Sequence, residues 1–277
     1  MKSAMKKSVL TVIFTMLFTC LCGLNGPAMA AEGSDADLAQ ELSNPLAALI
    51  TVPIQVNYDN NFGAGDDGRK LQINIQPVIP FELNDDWNLI TRTIVPVVSQ
   101  NDVPSGTGSK FGLGDINMSL FFSPRKPTSG GVTWGVGPVL LLPSATSKWL
   151  GGEKWGIGPA AVALTKKGPN TIGILANYVH SFAGENSRQD IRSTFIQPFF
   201  SYTTPEAITY SFQSETSYNH KTEKWSIPVN FAVSKMTRWG KLPVSLQGGI
   251  GYWLKSPDSG PEGFRFRFQI NFVLPKP

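Results

Sequence analysis

Cysteine and histidine are scarce in this chain of 277 residues. The two cysteines are Cys20 and Cys22, and the two histidines are His180 and His220. Because both cysteines fall within the leader described below, the rest of the chain has no thiol for a disulfide framework, a metal–thiolate site or a catalytic nucleophile. A metal site would need nearly all its other ligands from Asp and Glu. The sequence therefore predicts neither a metal nor a cofactor.

The chain also lacks a large excess of charge of either sign. The chain has 24 Lys and Arg against 20 Asp and Glu, but three of the lysines lie in the first 30 residues, which hold no acid. The remainder is close to neutral and has no cluster of Lys and Arg interleaved with aromatics, the usual footprint of nucleic-acid binding. We therefore exclude nucleic acid as a partner.

The first 30 residues have the form of a secretory signal peptide. Three lysines precede an apolar run from Val9 to Leu24, and Ala28-Met29-Ala30 is a small-x-small cleavage site. A membrane anchor is the alternative, but the run is short and interrupted by polar residues and a glycine. We expect residues 1–30 to be removed as the chain crosses the inner membrane of a Gram-negative envelope.

The chain is rich in alternating apolar and polar residues. In residues 264–274, phenylalanines share one face of a predicted strand, while Arg265 and Arg267 share the other. Residues 50–58 have the same pattern, and we expect the first and last strands to pair. Twelve such runs lie at 50–58, 71–76, 87–98, 116–122, 132–142, 155–164, 171–182, 191–202, 208–215, 225–233, 244–254 and 264–274.

Twelve two-faced strands predict an all-β fold, a transmembrane antiparallel β-barrel with a short N-terminal helix that Ser34 caps. The even count places both termini in the periplasm. The connections after odd-numbered strands, which are the longer set, are then predicted to lie outside the cell. The predicted division is a signal peptide at 1–30, a periplasmic or plug segment at 31–46 and the barrel at 47–277. A soluble β-sandwich is the alternative, since it also alternates.

Aromatic residues near the ends of the runs favour the membrane, because an interfacial girdle needs amphipathic rings there. These residues are Tyr58, Phe81, Trp87, Phe122, Trp134, Trp155, Tyr202, Tyr218, Trp225 and Trp253.

Polar residues on the other face indicate a lumen, where ionisable groups pair and mark a pathway. We expect Asp115 and Glu215 to pair with Arg92, Arg192, Arg265 and Arg267. The candidate lumen and selectivity residues are Arg92, Asp115, Asn117, Gln213, Glu215, Arg265 and Arg267.

Seven prolines inside the runs conflict with a regular ladder, because proline cannot donate a hydrogen bond. We expect several of them to mark bulges or strand ends. They are Pro53, Pro77, Pro96, Pro138, Pro159, Pro198 and Pro228.

Several short motifs carry a family resemblance. They include Gly112-Leu113-Gly114-Asp115, Leu120-Phe121-Phe122-Ser123-Pro124, Trp134-Gly135-Val136-Gly137-Pro138 and Gln76-Pro77-Val78-Ile79-Pro80-Phe81. The chain resembles bacterial outer-membrane β-barrels labelled as MetA-pathway phenol-degradation or transporter proteins, some of which carry the name neuromedin U. The resemblance implies a barrel that passes small hydrophobic or aromatic compounds. The tail Pro275-Lys276-Pro277 departs from the terminal aromatic residue of most such barrels.

The glycine motifs lack the third glycine and following helix of a dinucleotide site, so we interpret them as places of close strand approach. We expect a passive outer-membrane channel for small molecules that is not an enzyme, with outer-membrane lipid, the barrel assembly machinery and an unknown solute as partners. A structural barrel with a filled lumen is the alternative. A hydrolase that pairs His180 with Ser181, or His220 with Ser217, is a third hypothesis.

Overall fold

The computed structural model describes residues 34–63 and 65–275, so the predicted signal peptide, Lys276 and Pro277 lie outside the described residues. Within this part of the chain, one helix, α1 (Asp35–Glu41), precedes fifteen strand segments. These are β1 (Ile50–Phe62), β2 (Gly68–Ile75), β3 (Val78–Glu82), β4 (Trp87–Asn101), β5 (Ser109–Leu113), β6 (Ile116–Pro124), β7 (Val132–Leu142), β8 (Lys154–Lys167), β9 (Asn170–Gly184), β10 (Arg192–Thr203), β11 (Ile208–Ser214), β12 (Thr216–Asn219), β13 (Lys224–Trp239), β14 (Leu242–Lys255) and β15 (Phe264–Leu274).

The fifteen segments form a closed antiparallel barrel of twelve strands. The counts differ because β2 and β3, β5 and β6, and β11 and β12 are each one strand with an internal break. The barrel closes where β15 pairs with β1, from Ile50 opposite Leu274 to Asp59 opposite Arg265. The predicted pairing of the first and last strands is therefore confirmed, and the sandwich alternative is wrong.

The two faces of β15 point as the sequence predicts. Phe264, Phe266 and Phe268 are 57%, 54% and 48% exposed on the outer surface, whereas Arg265 and Arg267 are each 6% exposed. An outer surface this apolar matches the lipid-facing band of a membrane barrel.

The two ends of the barrel differ in the length of their connections. The end that carries α1 and the C-terminal end of β15, here called the terminal end, has short turns. The opposite end, here called the loop end, has the longer connections, as predicted. For example, the turns at the terminal end include residues 168–169 and 240–241, whereas the connections at the loop end include residues 143–153, 185–191 and 256–263. No helix in the described part of the chain is both long and apolar enough to span a membrane.

Most of the predicted girdle residues lie on the outer surface near strand ends. Trp87 at the terminal end and Trp155 at the loop end are 37% and 45% exposed, and the rings of Trp87 and Trp134 meet edge to face with centroids 5.9 Å apart. Trp253 is a correction. Its indole Nε1 donates to Asp59 Oδ1 at 2.9 Å, so this ring lies inside the barrel.

Four of the strand prolines lie at interruptions of the ladder. Pro77 occupies the break between β2 and β3, and Pro228 follows a register shift against β14. Pro138 and Pro159 face each other between β7 and β8, and each lies at a gap in its ladder with the strand on its other side. Because proline has no N–H to donate, no ladder hydrogen bond is lost by placing it at these interruptions.

The other three prolines lie opposite the breaks of neighbouring strands. Pro53 faces the break between β2 and β3, Pro96 the break between β5 and β6, and Pro198 the break between β11 and β12. The prediction that several of the prolines mark interruptions is confirmed, and the barrel remains closed because each break is bridged by regular pairing elsewhere along the strand.

Glycines beside the paired prolines are required by close backbone approach. A Cβ on Gly137 would lie 1.8 Å from the carbonyl oxygen of Leu120, and one on Gly158 would lie 1.7 Å from that of Tyr178. No side chain fits there, because the neighbouring strand presses against both positions. The motif containing Gly137 and its repeat on β8 therefore shape the barrel wall, as predicted.

Candidate functional site

The inward-facing side chains divide the lumen into two walls of different chemistry. The apolar wall is formed by β6 to β9 with one residue of β4, and the polar wall by β1, β2 and β11 to β15. Buried residues of the apolar wall are Ile90, Phe121, Val139, Ala160, Val162, Leu175 and Val179. Residues of the polar wall include Gln55, Asn57, Asp59, Gln72, Asn74, Gln213, Glu215, Asn230, Gln247, Arg265 and Arg267.

An ion-pair network crosses the polar wall. Glu215 Oε2 lies 2.7 Å from Arg267 Nη2 and 3.3 Å from Arg265 Nη1. Arg265 Nε lies 3.1 Å from Asp59 Oδ1, and Arg267 Nε donates to Asn57 Oδ1 at 2.8 Å. The predicted pairing of Glu215 with Arg265 and Arg267 is confirmed, because one carboxylate holds both guanidinium groups.

Strand register and small residues bring this network together. Asn57 and Asp59 on β1 lie directly opposite Arg267 and Arg265 on β15, so the four side chains leave the sheet on the same face. Glu215 lies in the break between β11 and β12, beyond β14 and β13. The arginines reach it across a position without a side chain, since a Cβ on Gly251 would lie 2.7 Å from Arg265 Cγ.

Two cavities meet inside the lumen at the level of Arg92. The larger, about 540 Å³, opens toward the loop end, and the smaller, about 240 Å³, lies toward the terminal end. Arg92 lines both cavities, and its Nη2 donates to Gln76 Oε1 at 2.9 Å. The residues shared by both linings are Gln55, Gln76, Arg92, Gln197 and Glu215.

The other predicted site residues have different surroundings. Gln213 joins the network, because it accepts from Gln197 Nε2 at 2.9 Å and its own Nε2 lies 3.4 Å from Glu215 Oε1. Asn117 lines the larger cavity. Asp115 is a correction: its carboxylate accepts from the N–H groups of Ala145 and Gly152 at 3.1 and 2.6 Å, so it anchors the β7–β8 loop and pairs with no arginine among the described residues.

The predicted pairing of Arg192 is also wrong. Arg192 lies exposed at the start of β10, outside the Glu215 network. At this loop end, Asp190 Oδ1 is 3.2 Å from the buried Lys154 Nζ, and Asp190 Oδ2 is 3.7 Å from Lys221 Nζ. The hydrogen bond and charge of Lys154 lower the pKa of the Asp190 carboxyl.

Sequence reasoning missed part of the polar wall. Asp59, Lys70 and Trp253 line the larger cavity, although Asp59 to Lys70 reads as a loop and Trp253 as a girdle residue. The missed signal was the alternation itself. Asp59 follows Gln55 and Asn57 at the same spacing on the inward face of β1, and the strand continues to Phe62.

Both histidines lie near the loop end. His220 Nε2 is 2.8 Å from Thr194 Oγ1, and its ring lies edge-on to Tyr178 and Tyr218. The Ser181 hydroxyl accepts from Ile191 N–H at 2.9 Å. In the described part of the chain neither Ser181 nor Ser217 forms a hydrogen bond with a histidine.

The N-terminal segment 34–49 lies against the terminal end. Ser34 caps α1 as predicted, because its hydroxyl accepts from Asp37 N–H at 3.1 Å and the Asp37 carboxylate accepts from Ser34 N–H in return. Asp35 Oδ1 pairs with Arg238 Nη2 at 2.7 Å, and Glu41 pairs with Lys166. The apolar side of the helix packs against residues of three strands or turns: Leu38 and Ala39 meet Ala207, Met236 and Val273.

Leu46 attaches the same segment to the apolar wall. This side chain is 5% exposed and belongs to the cluster that contains Ile90 and Phe121. Gly135 leaves room for it, since a Cβ there would lie 3.0 Å from Leu46 Cδ2. Residues 39–49 consequently form part of the lining of the smaller cavity.

The fold is similar to those of solved outer-membrane barrels. An outer membrane channel from Pseudomonas putida F1 matches with a TM-score of 0.61 and 15% identity, over 83% of this chain and 97% of that one. Outer membrane phospholipase A from Escherichia coli matches with a TM-score of 0.49 and 12% identity, over 87% and 96%. The NanC porin matches with a TM-score of 0.48 and 9% identity, over 81% and 100%. No family model and no curated protein matches the chain.

At these identities the similarity defines the fold: a twelve-stranded barrel of the outer-membrane type. The MetA-pathway resemblance stays a prediction. The prediction that the chain is not an enzyme is wrong on this comparison, because the matched barrels include outer membrane phospholipases from Escherichia coli and Salmonella typhi as well as channels.

Proposed function

We propose that this protein is an outer-membrane channel that passes small molecules, including hydrophobic or aromatic ones, through its lumen. One observation carries the proposal: two cavities of about 540 and 240 Å³ meet at shared residues inside a closed barrel. Barrels of eight strands have interiors that side chains fill, and those of sixteen or more hold water channels. A twelve-stranded barrel with a cavity on each side of one set of shared residues fits a selective channel.

The size of the cavities supports passage of small organic molecules. A cavity of about 150 Å³ is sufficient to hold benzene, and the larger cavity here, about 540 Å³, exceeds that severalfold. The residues that both cavities share, among them Arg92 and Glu215, are amide and charged groups, and cavities of these volumes favour small solutes over polymers. Leu141, Val179 and Phe195 in the larger cavity and Leu175 in the smaller one offer these solutes apolar contacts.

Segment 34–49 is proposed as a plug at the periplasmic end. It contributes to the lining of the smaller cavity and is held by Leu46, by the apolar side of α1 and by two half-exposed ion pairs. The exposed apolar band and the short turns beside the termini support an outer-membrane location with this end in the periplasm.

Planar-bilayer recording of the purified mature protein tests the channel. The protein should give discrete current steps, and a variant lacking residues 34–46 should give larger steps because the plug is removed. Folding is checked in the same preparation by the mobility of unboiled and boiled protein on a gel. Folded protein that carries no current, with or without residues 34–46, would contradict the proposal.

A structural barrel with a closed lumen is the second candidate, favoured by the network of Glu215, Arg265, Arg267 and Asp59. These ion pairs cross several strands and hold the polar wall together. The structural candidate predicts no current in either protein and a large stability loss when Glu215 is replaced. Current through the plug-deleted protein distinguishes the two.

A further inference from the structure

The charges of the lumen do not balance within the polar wall and its edge. Glu41, which lines the smaller cavity, is neutralised by Lys166. Of the remaining groups, four cations face this region, namely Lys70, Arg92, Arg265 and Arg267, against the two acids Asp59 and Glu215. Both acids already have partners. Asp59 forms an ion pair with Arg265 and accepts from Trp253 Nε1, and Glu215 forms ion pairs with Arg265 and Arg267. The lumen therefore carries excess positive charge.

Among these cations, Arg92 is the one best placed to bind an anion from the lumen. No carboxylate of the described chain lies within 4.0 Å of its guanidinium group, and its hydrogen bond goes to the neutral amide of Gln76. A guanidinium has five N–H donors in a planar fork that matches a carboxylate. Arg92 is only partly buried and borders both cavities, so its remaining donors are accessible from the lumen.

Apolar side chains line the same two cavities as this guanidinium. Ile94, two residues along the same strand and on the same face, lines the larger cavity together with Leu141, Val179 and Phe195. Leu175 and Phe199 line the smaller cavity that Arg92 also borders. A ligand held at Arg92 thus meets a charged donor group on one side and hydrocarbon on the other.

We propose that Arg92 and the apolar residues of the same cavity form a binding site for small organic anions with an apolar body, of which an aromatic carboxylate is the simplest example. The carboxylate binds the Arg92 guanidinium, and the hydrocarbon part packs against Ile94 and Phe195. The site deepens the proposed channel function by naming its solute class. Its occupancy can nevertheless be measured without transport.

Three probes separate the two halves of the site in folded, detergent-solubilised mature protein. Benzoate has the ring and the charge, benzyl alcohol the ring alone and acetate the charge alone. Saturation-transfer NMR should show binding of benzoate that exceeds that of either other probe. Equal signals from benzoate and benzyl alcohol would overturn the role of the charge, and equal signals from benzoate and acetate would overturn the role of the wall.

Arg92→Gln locates the site, and Lys241→Gln, which removes one positive charge from an exposed turn between β13 and β14, is the matched control. Loss of a charge-assisted hydrogen bond should weaken benzoate about tenfold in the Arg92 variant, with benzyl alcohol unchanged and the control like the parent. Benzoate that binds the Arg92 variant as well as the parent overturns the proposal. If that variant does not fold, Arg92→Lys should retain the preference for benzoate over benzyl alcohol, and its loss there overturns the proposal too.

Bilayer recording separates this inference from the channel function. If benzoate binds in an Arg92-dependent way and the protein carries no current, the result supports the binding site and contradicts the channel function. If the protein carries current but shows no preference for benzoate, the result supports the channel function and contradicts the binding site.

Discussion

The two walls of the lumen are built by the same alternating pattern and yet have opposite properties. The apolar wall buries Ile90, Phe121 and Val139 against Leu46 of the N-terminal segment, so its stability comes from packing. The polar wall buries Arg265 and Arg267, each 6% exposed, and depends on Glu215 to compensate them. A barrel of this size can thus attach its N-terminal segment to one side of its interior and keep ionised groups on the other.

The polar wall should suffer most from a single change. Glu215→Gln leaves Arg267 without a carboxylate and Arg265 with Asp59 alone, and removal of one partner of a buried ion pair costs about 3 kcal/mol or more. The urea concentration at half-unfolding, followed by the loss of the unboiled gel band, should fall clearly. Glu262→Gln in the exposed β14–β15 connection is the control and should behave like the parent. An unchanged midpoint for Glu215→Gln would show that the arginines need no counter-charge.

The apolar wall should respond through the plug. Leu46→Ala removes packing worth about 2 kcal/mol, which loosens segment 34–49 while the strands keep their hydrogen bonds. Single-channel current should rise, and protease should cut the segment faster, with little change in barrel unfolding. Leu83→Ala, at a residue 49% exposed in the β3–β4 turn, provides the control. If Leu46→Ala lowers barrel stability as much as Glu215→Gln, the two walls do not differ in the way described.

The ion pairs of the plug should matter much less than those of the polar wall. Arg238 and Asp35 side chains are 34% and 41% exposed, and pairs of this kind contribute about 0 to 1 kcal/mol and are screened by salt. Arg238→Ala should therefore raise the single-channel current only slightly, and less at high than at low salt concentration. An effect as large as that of Leu46→Ala would mean that charge rather than packing holds the plug.

The smallest effect is expected at the loop end of the apolar wall, where Lys154 is buried beside the exposed Asp190 carboxyl. The pKa of Asp190 is lowered in the folded protein, so its stabilising contribution is present above the unfolded pKa, about 3.9, and is lost as pH falls through the lowered value. Hydrogen exchange of segment 185–191, corrected for its intrinsic pH dependence, should increase over that acidic range. In the Asp190→Asn variant, the amides of segment 185–191 should already exchange faster at neutral pH, and their exchange should not increase further over the acidic range. An acid-dependent increase as large as that of the parent would show that another group titrates.

Much of the fold follows from the sequence, because alternation determines both the strands and their faces. The outward Phe266, the inward Arg265 and the Ser34 cap required no tertiary information. Several of the prolines that seemed to conflict with a closed ladder were predicted to lie at interruptions, and the structure places four of them there.

The site was less accessible to sequence reasoning. Alternation states which residues point inward but not which of them meet across the lumen. Asp115 therefore looked like a partner for arginine, although its carboxylate binds loop N–H groups. Trp253 looked like a girdle residue because position along a strand was the criterion, while its face places it over Arg265, with 5.1 Å between the guanidinium and the ring centroid. The division into two walls is a property of strand order around the closed barrel.

The passage of solute between these walls is tested most directly at Gln55, a buried residue that borders both cavities. The mature protein, produced without residues 1–30 and hence without Cys20 and Cys22, would carry Gln55→Cys, with lipid-facing Phe266→Cys as the control. A charged thiol-specific methanethiosulfonate reagent should sharply reduce the bilayer current of the Gln55 variant and leave that of the Phe266 variant unchanged. Current that persists undiminished after complete modification of the Gln55 variant would show that ions do not pass through this lumen.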